Sequence, residues 1–124
     1  MEYNSPFFKP REFACKCSYE DCVNSHEKMD SKFLEMLFRL RSELDFPFNI
    51  SSGYRCDKHN KDQKGSRFSY HKRGRAVDLI ITDSVQRFEL VEAATRAGFS
   101  IIVYSNFVHL DNRDGIPKLL RGNY

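Results

Sequence analysis

Apolar residues recur at helical spacing in two stretches of the chain. In the first stretch the apolar positions are Phe33, Leu34, Leu37, Leu40 and Leu44. Asp30 or Ser31 can cap this helix, and Pro47 is expected to end it. In the second stretch the apolar positions are Phe88, Leu90, Val91, Ala94 and Ala97. Ser84 is the predicted cap of this second amphipathic helix, and Gly98 is its predicted end.

Short runs of β-branched and aliphatic residues, typical of strands, lie between and after these helices. The runs are FNISS at 48–52, AVDLIIT at 76–82, FSIIVYS at 99–105 and NFVHLD at 106–111. Ser105 and Asn106 predict a tight turn between the last two runs, and residues 57–63 predict one or two polar helical turns. The order of elements predicts an α+β fold, in which helices back a small antiparallel sheet.

Length and organisation indicate a single domain over residues 1–124. Residues 1–29 show little periodicity and hold three of the four cysteines, which predicts an irregular arm laid on the core. No apolar run approaches the ~18 residues of a membrane span, and the first residues lack the pattern of a signal peptide. We therefore expect a monomer that is made as a soluble cytoplasmic protein.

The charge balance changes this picture little. Lys and Arg number 20 against 17 Asp and Glu, for a net charge of +3. This excess is too small to indicate nucleic-acid binding by itself, although it could favour an acidic polymer such as an anionic cell-wall polymer. A basic nucleic-acid binder is the weakest of the functional interpretations.

The polar residues on the predicted strands suggest a metal site. An unpaired carboxylate at the mouth of a buried strand costs several kcal/mol, so Asp78 must be paired, hydrogen-bonded or bound to a metal. Strand period places Phe107, His109 and Asp111 on the face opposite Val108 and Leu110. If both strands share a sheet, Asp78 and His109 face each other, and His71 folds in from a loop. Two imidazoles and a carboxylate are a usual ligand set for catalytic zinc, which lowers the pKa of water toward ~7.

Spacing alone also allows surface histidines and a capping aspartate, but three ordered motifs resemble the zinc D-alanyl-D-alanine carboxypeptidase family. They are SGYR, then S-x-H-x6-D ending in G-x-A-x-D, both within SSGYRCDKHNKDQKGSRFSYHKRGRAVDLIITD, and H-x-D in FVHLDNR. Upstream, FFKPREFACKCSYEDC and LEMLFRLRSEL resemble the arm and first helix of the small single-domain branch. The resemblance covers nearly the whole chain and implies a hedgehog/D,D-peptidase-like fold.

The resemblance also implies roles for individual residues. It implies that His71, Asp78 and His109 ligate zinc and that Arg55 holds the carbonyl or carboxylate of the substrate. The alternative for Arg55 is a structural pair with a nearby acid. Ser69 would bond either the loop backbone or the substrate, and the loop role is favoured.

The general base is the open question, because relatives often carry an acid three residues before the last histidine, where this chain has Asn106. Asp111 is the first candidate; its alternative role is to support the ligand or to pair with Arg113. His59 is the second candidate, with a solvated surface histidine as its alternative.

The four cysteines have no settled role in the sequence. Cys15, Cys17 and Cys22 lie close together, and Cys56 follows Arg55. Free thiols, a disulfide and a second metal all remain open, since Cys-x-Cys-x4-Cys is not a common zinc spacing.

The resemblance thus implies a zinc-dependent metallopeptidase that acts on the peptide stems of peptidoglycan. The enzyme would be a D,D-carboxypeptidase or an endolysin-like endopeptidase, in a lysis or remodelling role at the bacterial cell wall or in a bacteriophage. The alternative is a zinc-bearing binding or structural module without catalysis, as in the related hedgehog signalling domain.

Overall fold

A computed structural model describes residues 7–17, 22–66 and 68–122, and within them the chain forms a five-stranded sheet backed by helices. The helices are α1 (Ser31–Glu43), α2 (Asp57–Asp62) and α3 (Ser84–Ala97), and short 3-10 turns cover Pro10–Glu12, Ser25–Lys28 and Tyr70–Arg73. The strands are β1 (Asn49–Ser52), β2 (Ala76–Ile80), β3 (Ser100–Val103), β4 (Phe107–Asp111) and β5 (Leu119–Arg121). This confirms the predicted α+β class. None of the described helices is long and apolar enough to cross a membrane.

The strands lie in the order β1-β2-β4-β3-β5, antiparallel except where β5 runs parallel to β3. Strand β2 pairs with β4 so that Val77 lies opposite Leu110 and Leu79 opposite Val108. These four side chains are buried in the core against α1 and α3. Because side chains alternate along a strand, the residues between them point to the other face of the sheet.

The first predicted helix agrees closely with the structure. The Asp30 carboxylate caps α1 by accepting a hydrogen bond of 3.0 Å from the backbone N–H of Phe33. The buried residues of α1 are Phe33, Leu34, Leu37 and Leu40. The helix ends at Glu43, earlier than Pro47, because Leu44 already has extended backbone angles.

The second predicted helix differs in its cap and in part of its buried face. Asp83, not Ser84, caps α3, and its carboxylate accepts from the N–H of Gln86 at 2.9 Å. Ser84 is instead the first residue of the helix. Leu90 is buried as expected, but Phe88 is 68% exposed. Phe88 precedes Leu90 by two residues, which corresponds to about 200° of rotation around the helix, so the two side chains point to nearly opposite sides.

Strand β5 is not among the elements that the sequence predicts. Its three residues are exposed, so no apolar alternation marks them. Backbone contacts with β3 hold it in place: the N–H of Ile101 donates to the carbonyl of Lys118 at 2.7 Å. Pairing with a neighbouring strand, rather than side-chain burial, defines this strand.

The described part of the predicted arm is anchored by aromatic packing; its residues 1–6 and 18–21 lie outside the described ranges. Phe8 and Phe13 are buried, with ring centroids 5.4 Å apart. The carbonyl of Phe13 accepts from the N–H of Tyr54 at 2.9 Å. A Cβ on Gly53 would lie 2.8 Å from the Phe13 backbone, so glycine permits this close approach. The arm therefore lies directly on the segment that follows β1.

Gly74 and Gly98 offer a matched test of the backbone near His71. Both adopt a left-handed φ, +68° and +91° respectively, but only at Gly74 would a Cβ meet backbone, 2.1 Å from the carbonyl oxygen of Lys28. We expect Gly98→Ala to lower the free energy of unfolding by roughly 1–2 kcal/mol, from φ strain alone. Gly74→Ala adds a backbone clash to the same strain and should cost clearly more. Urea denaturation of both variants measures the difference, and equal losses would contradict the described packing.

Candidate metal centre

Three buried side chains converge on the sheet face opposite the helices. His71, Asp78 and His109 each offer one ligand atom, and these atoms all lie within 4.8 Å of one another. Oδ1 of Asp78 lies 3.2 Å from Nε2 of His71 and 3.0 Å from Nδ1 of His109. The structure therefore brings together the three residues that the sequence suggested.

Strand pairing and one short turn position these three residues. Asp78 on β2 and His109 on β4 are direct cross-strand partners, as the alternation of the two strands predicted. His71 comes from the Tyr70–Arg73 turn, which the hydroxyl of Ser69 caps by accepting from the N–H of His71 at 3.2 Å. The loop role that was favoured for Ser69 is thus present in the structure.

The second nitrogen of each imidazole is fixed by an acceptor. Nδ1 of His71 lies 2.7 Å from the carbonyl oxygen of Gly53, and Nε2 of His109 lies 2.7 Å from Oδ2 of Asp111. Each of these nitrogens must carry a hydrogen to donate, which leaves the lone pairs of the opposite nitrogens facing Asp78. A carboxylate oxygen and two imidazole lone pairs at this spacing repel one another unless a cation lies among them.

The ionisation of the cluster favours a positive charge at the same point. Burial alone would raise the pKa of Asp78, but without a metal ion the imidazoles of His109 and His71 can carry an additional proton toward it, and this outweighs burial and holds the pKa well below its usual range. Burial lowers the pKa of His71, which favours its neutral form. Burial also lowers the pKa of His109, yet the carboxylates of Asp111 and Asp78 reverse this and raise it. Two carboxylates that favour a proton on His109 also favour a metal cation beside it.

The donor set fits zinc. It consists of two nitrogens and one oxygen, the usual protein ligands of a catalytic zinc, with a fourth position left for water or substrate. The centre lies in an open cleft of about 860 Å³ lined by His71, Asp78 and His109 themselves, so a small molecule can reach the fourth position. Hydrogen bonds that the rings donate to the carbonyl of Gly53 and the carboxylate of Asp111 orient both rings, as is usual for histidines that bind metals.

Arg55 contacts the cluster directly. Its Nη2 lies 3.2 Å from Oδ2 of Asp78, and its Nε donates to the hydroxyl of Ser52 at 3.0 Å. This contact occupies Oδ2 and leaves Oδ1 of Asp78 facing the two histidines. The structural pair considered for Arg55 is therefore present, and the guanidinium also lines the cleft.

Asp111 is fully buried and already carries four hydrogen bonds. Oδ2 accepts from Nε2 of His109 and from Nη2 of Arg113, both at 2.7 Å, and Oδ1 accepts from N and Nε of Arg113, both at 2.9 Å. Burial raises its pKa, but these bonds reverse the effect and hold the pKa well below its usual range. Such a carboxylate accepts a further proton poorly. Its contacts favour the alternative role, in which it supports His109.

The second base candidate, His59, also lines the cleft. Burial lowers its pKa, and the charge of Arg55 lowers it further, so the ring is neutral near pH 7. Asn106, at the position where relatives carry an acid, lies exposed in the turn between β3 and β4. Of His59 and Asn106, only His59 can accept a proton, through its imidazole ring.

Most of the groups that hold the site do not follow from the sequence analysis. The carbonyl of Gly53 orients His71, Ser52 and Asn60 hold the guanidinium of Arg55, and Arg113 neutralises Asp111. Backbone carbonyls leave no signal in a sequence. Arg113 alone was weighed beforehand, as a partner of Asp111.

A comparison with known families agrees with this geometry. The family model for peptidase M15 matches residues 6–111, a span that includes the arm, the three candidate ligands and Asp111. No curated protein matches the chain. The family match does not distinguish the carboxypeptidase branch that the motifs resemble.

Asp111→Asn tests the supporting role of this carboxylate. Because an amide cannot fix His109 in the same way, we expect zinc affinity to fall by about 10–100-fold. Competition with a chromogenic chelator measures this, with circular dichroism to confirm folding. Asp114→Asn is the matched control, since Asp114 pairs with Arg75 at the surface. Equal zinc affinity in both variants would contradict the role given to Asp111.

Proposed function

Because the chain belongs to the peptidase M15 family, we propose that it is a zinc-dependent peptidase that hydrolyses a peptide bond in the stem peptide of peptidoglycan. The bond is either a terminal D-alanyl-D-alanine bond or an internal bond of the stem. The observation that carries this proposal is the convergence of His71 Nε2, Asp78 Oδ1 and His109 Nδ1 within one open cleft.

Zinc held by these three atoms would polarise the scissile carbonyl and activate water for attack on it. Arg55 lies beside the same centre, where its guanidinium can hold a substrate oxygen that gains negative charge during the attack. Its bonds to Asp78 and Ser52 fix the guanidinium plane in advance. A fixed donor stabilises developing charge without having to reorganise during the reaction.

The cleft fits a peptide that carries carboxylates. Lys16, Arg55 and Arg113 line it, and the last two are paired with Asp78 and Asp111. The ammonium group of Lys16 donates to the carbonyls of Arg11 and Glu12 and pairs with no carboxylate of the centre, so its positive charge at the cleft supports binding of an anionic stem peptide. The hydroxyl of Ser69 lines the same wall, and substrate contact by this residue is part of the proposal.

We assign the proton transfer to His59. It is the neutral imidazole of the cleft wall, and its ring nitrogen would take the proton of the attacking water and return it to the leaving amine. Asp111 orients His109 in this scheme. The saturated hydrogen bonding of Asp111 supports this division of roles.

A non-catalytic zinc module is the second candidate. The observation that favours it is Asn106, an exposed amide at the position of the acid in many relatives. A module of this kind would keep the metal and bind a peptide without cleaving it.

Hydrolysis assays on zinc-loaded wild type and His109→Ala decide between these functions. We expect wild type to cleave purified peptidoglycan or a synthetic stem pentapeptide, and His109→Ala to lose both zinc and cleavage. Release of free D-alanine identifies the carboxypeptidase, and new amines within the stem without D-alanine identify the endopeptidase. Zinc binding by wild type without any cleavage would contradict the peptidase proposal and support the non-catalytic binding module.

His59→Gln tests the proton transfer. We expect kcat to fall by about 10²–10⁴-fold, as for loss of a general base. In wild type the rate should fall as pH drops through the pKa of His59, because the protonated ring cannot accept a proton, and burial places this limb below the usual histidine value. The variant should lack that limb. Lys61→Gln, an exposed residue of the same helix, is the control; an unchanged pH profile in His59→Gln would exclude the assignment.

A further inference from the structure

The four cysteines form a second cluster, separate from the His71, Asp78 and His109 centre. The sulfurs of Cys15, Cys17, Cys22 and Cys56 all lie within 4.8 Å of one another. Sγ of Cys56 lies 3.8 Å from that of Cys15 and 3.9 Å from that of Cys17. Three come from the arm and the fourth from the first residue before α2, although the arm and α2 are far apart in the sequence.

Backbone contacts hold this cluster in shape. The hydroxyl of Ser25 accepts from the N–H of Cys15 and donates to the carbonyl of Cys22, both at 2.7 Å, which ties the two cysteine backbones together. Ser25 is itself buried. The positions of the sulfurs therefore do not depend on exposed, freely rotating side chains.

Backbone N–H groups point at the sulfurs. The N–H of Cys56 donates to Sγ of Cys15 at 3.5 Å, and the N–H of His59 donates to Sγ of Cys56 at 3.4 Å. Cys56 thereby caps α2 with its sulfur. These contacts stabilise anionic sulfur, which is the form that binds a metal.

We infer that Cys15, Cys17, Cys22 and Cys56 bind a structural zinc ion that fastens the arm to the segment carrying Arg55. Four sulfurs about 2.3 Å from a zinc ion at the corners of a tetrahedron lie about 3.8 Å from one another. The distances from the sulfur of Cys56 to those of Cys15 and Cys17, 3.8 and 3.9 Å, match this edge. Four thiolates close the coordination shell and leave no position for substrate, so this zinc would be structural.

Free thiols and disulfides explain the cluster less well. A disulfide needs sulfurs about 2.05 Å apart and joins them in pairs, whereas Cys56 lies at nearly the same distance from two partners. A divalent cation among the four sulfurs would compensate the negative charge of the thiolates, and each thiol would release its proton to solvent as it binds.

The cluster has a direct structural consequence for the cleft. Lys16, between two of the cysteines, lines the cleft, and Cys56 is followed by the helix that carries His59. A metal held by these sulfurs would therefore fix two parts of the cleft wall together. This inference does not rest on the proposed peptidase function, because it concerns only the arm and α2.

Metal content and cobalt absorption test the inference without any activity assay. We expect two zinc ions per chain in wild type and one in His71→Ala/His109→Ala. Cobalt in place of zinc should give intense near-ultraviolet thiolate charge-transfer absorption in both proteins, since the nitrogen and oxygen centre contributes none. Cys56→Ser should lose that absorption and one zinc ion.

Thiol counting on wild type covers the case in which Cys56→Ser does not fold. We expect four reactive thiols after denaturation with chelator and no reductant, and slow reaction in the native protein until chelator is added. Fewer than four thiols would show disulfides and overturn the inference. Native thiols that react at the same rate with and without chelator, or a cobalt spectrum without thiolate absorption, would overturn it equally.

Discussion

The site depends on one buried carboxylate. Asp78 lies in the sheet directly opposite His109, and the other side of each strand belongs to the core. A buried charge of this kind costs several kcal/mol unless it is compensated. Arg55 compensates one oxygen, and the two imidazoles face the other. Since both imidazoles have a proton fixed on their far nitrogen, a cation at Oδ1 relieves the repulsion among all three donors. The sheet register thereby places two of the three candidate ligands, Asp78 and His109, before any loop is considered.

The 52–56 segment joins every part of this arrangement. The carbonyl of its glycine orients His71, and the N–H of its tyrosine binds the carbonyl of Phe13 in the arm. Its arginine holds Asp78, and the N–H of its cysteine donates to the sulfur of Cys15. Five consecutive residues therefore connect the candidate metal centre, the arm and the cysteine cluster. A displacement of this segment would disturb all three at once. A side chain at Gly53 would cause such a displacement, because its Cβ would clash with the backbone of the arm.

The sequence predicts strands β1 to β4 and the three candidate ligands well, because strand alternation is a strong local pattern. Val108 and Leu110 fix which face of β4 is buried, and His109 then follows on the other face. The sequence predicts the exact first residue of a helix less well. Asp83 and Ser84 are both good caps, and only the observed backbone shows that Asp83 is the cap. The sequence does not predict contacts made by backbone groups, such as the hydrogen bond between the carbonyl of Gly53 and His71. It also leaves the cysteines open, because their proximity depends on how the arm returns to α2.

The contacts of Asp111 explain how this centre differs from relatives that carry an acid before the last histidine. Two carboxylates, those of Asp78 and Asp111, already contact His109, and Arg113 pairs with the second of them. A neutral imidazole can accept a proton without adding negative charge to a centre that already holds two carboxylates. The proposed acceptor, His59, lies on α2, a helix capped by Cys56. The position of the proton acceptor and the integrity of the cysteine cluster are then linked through one short helix.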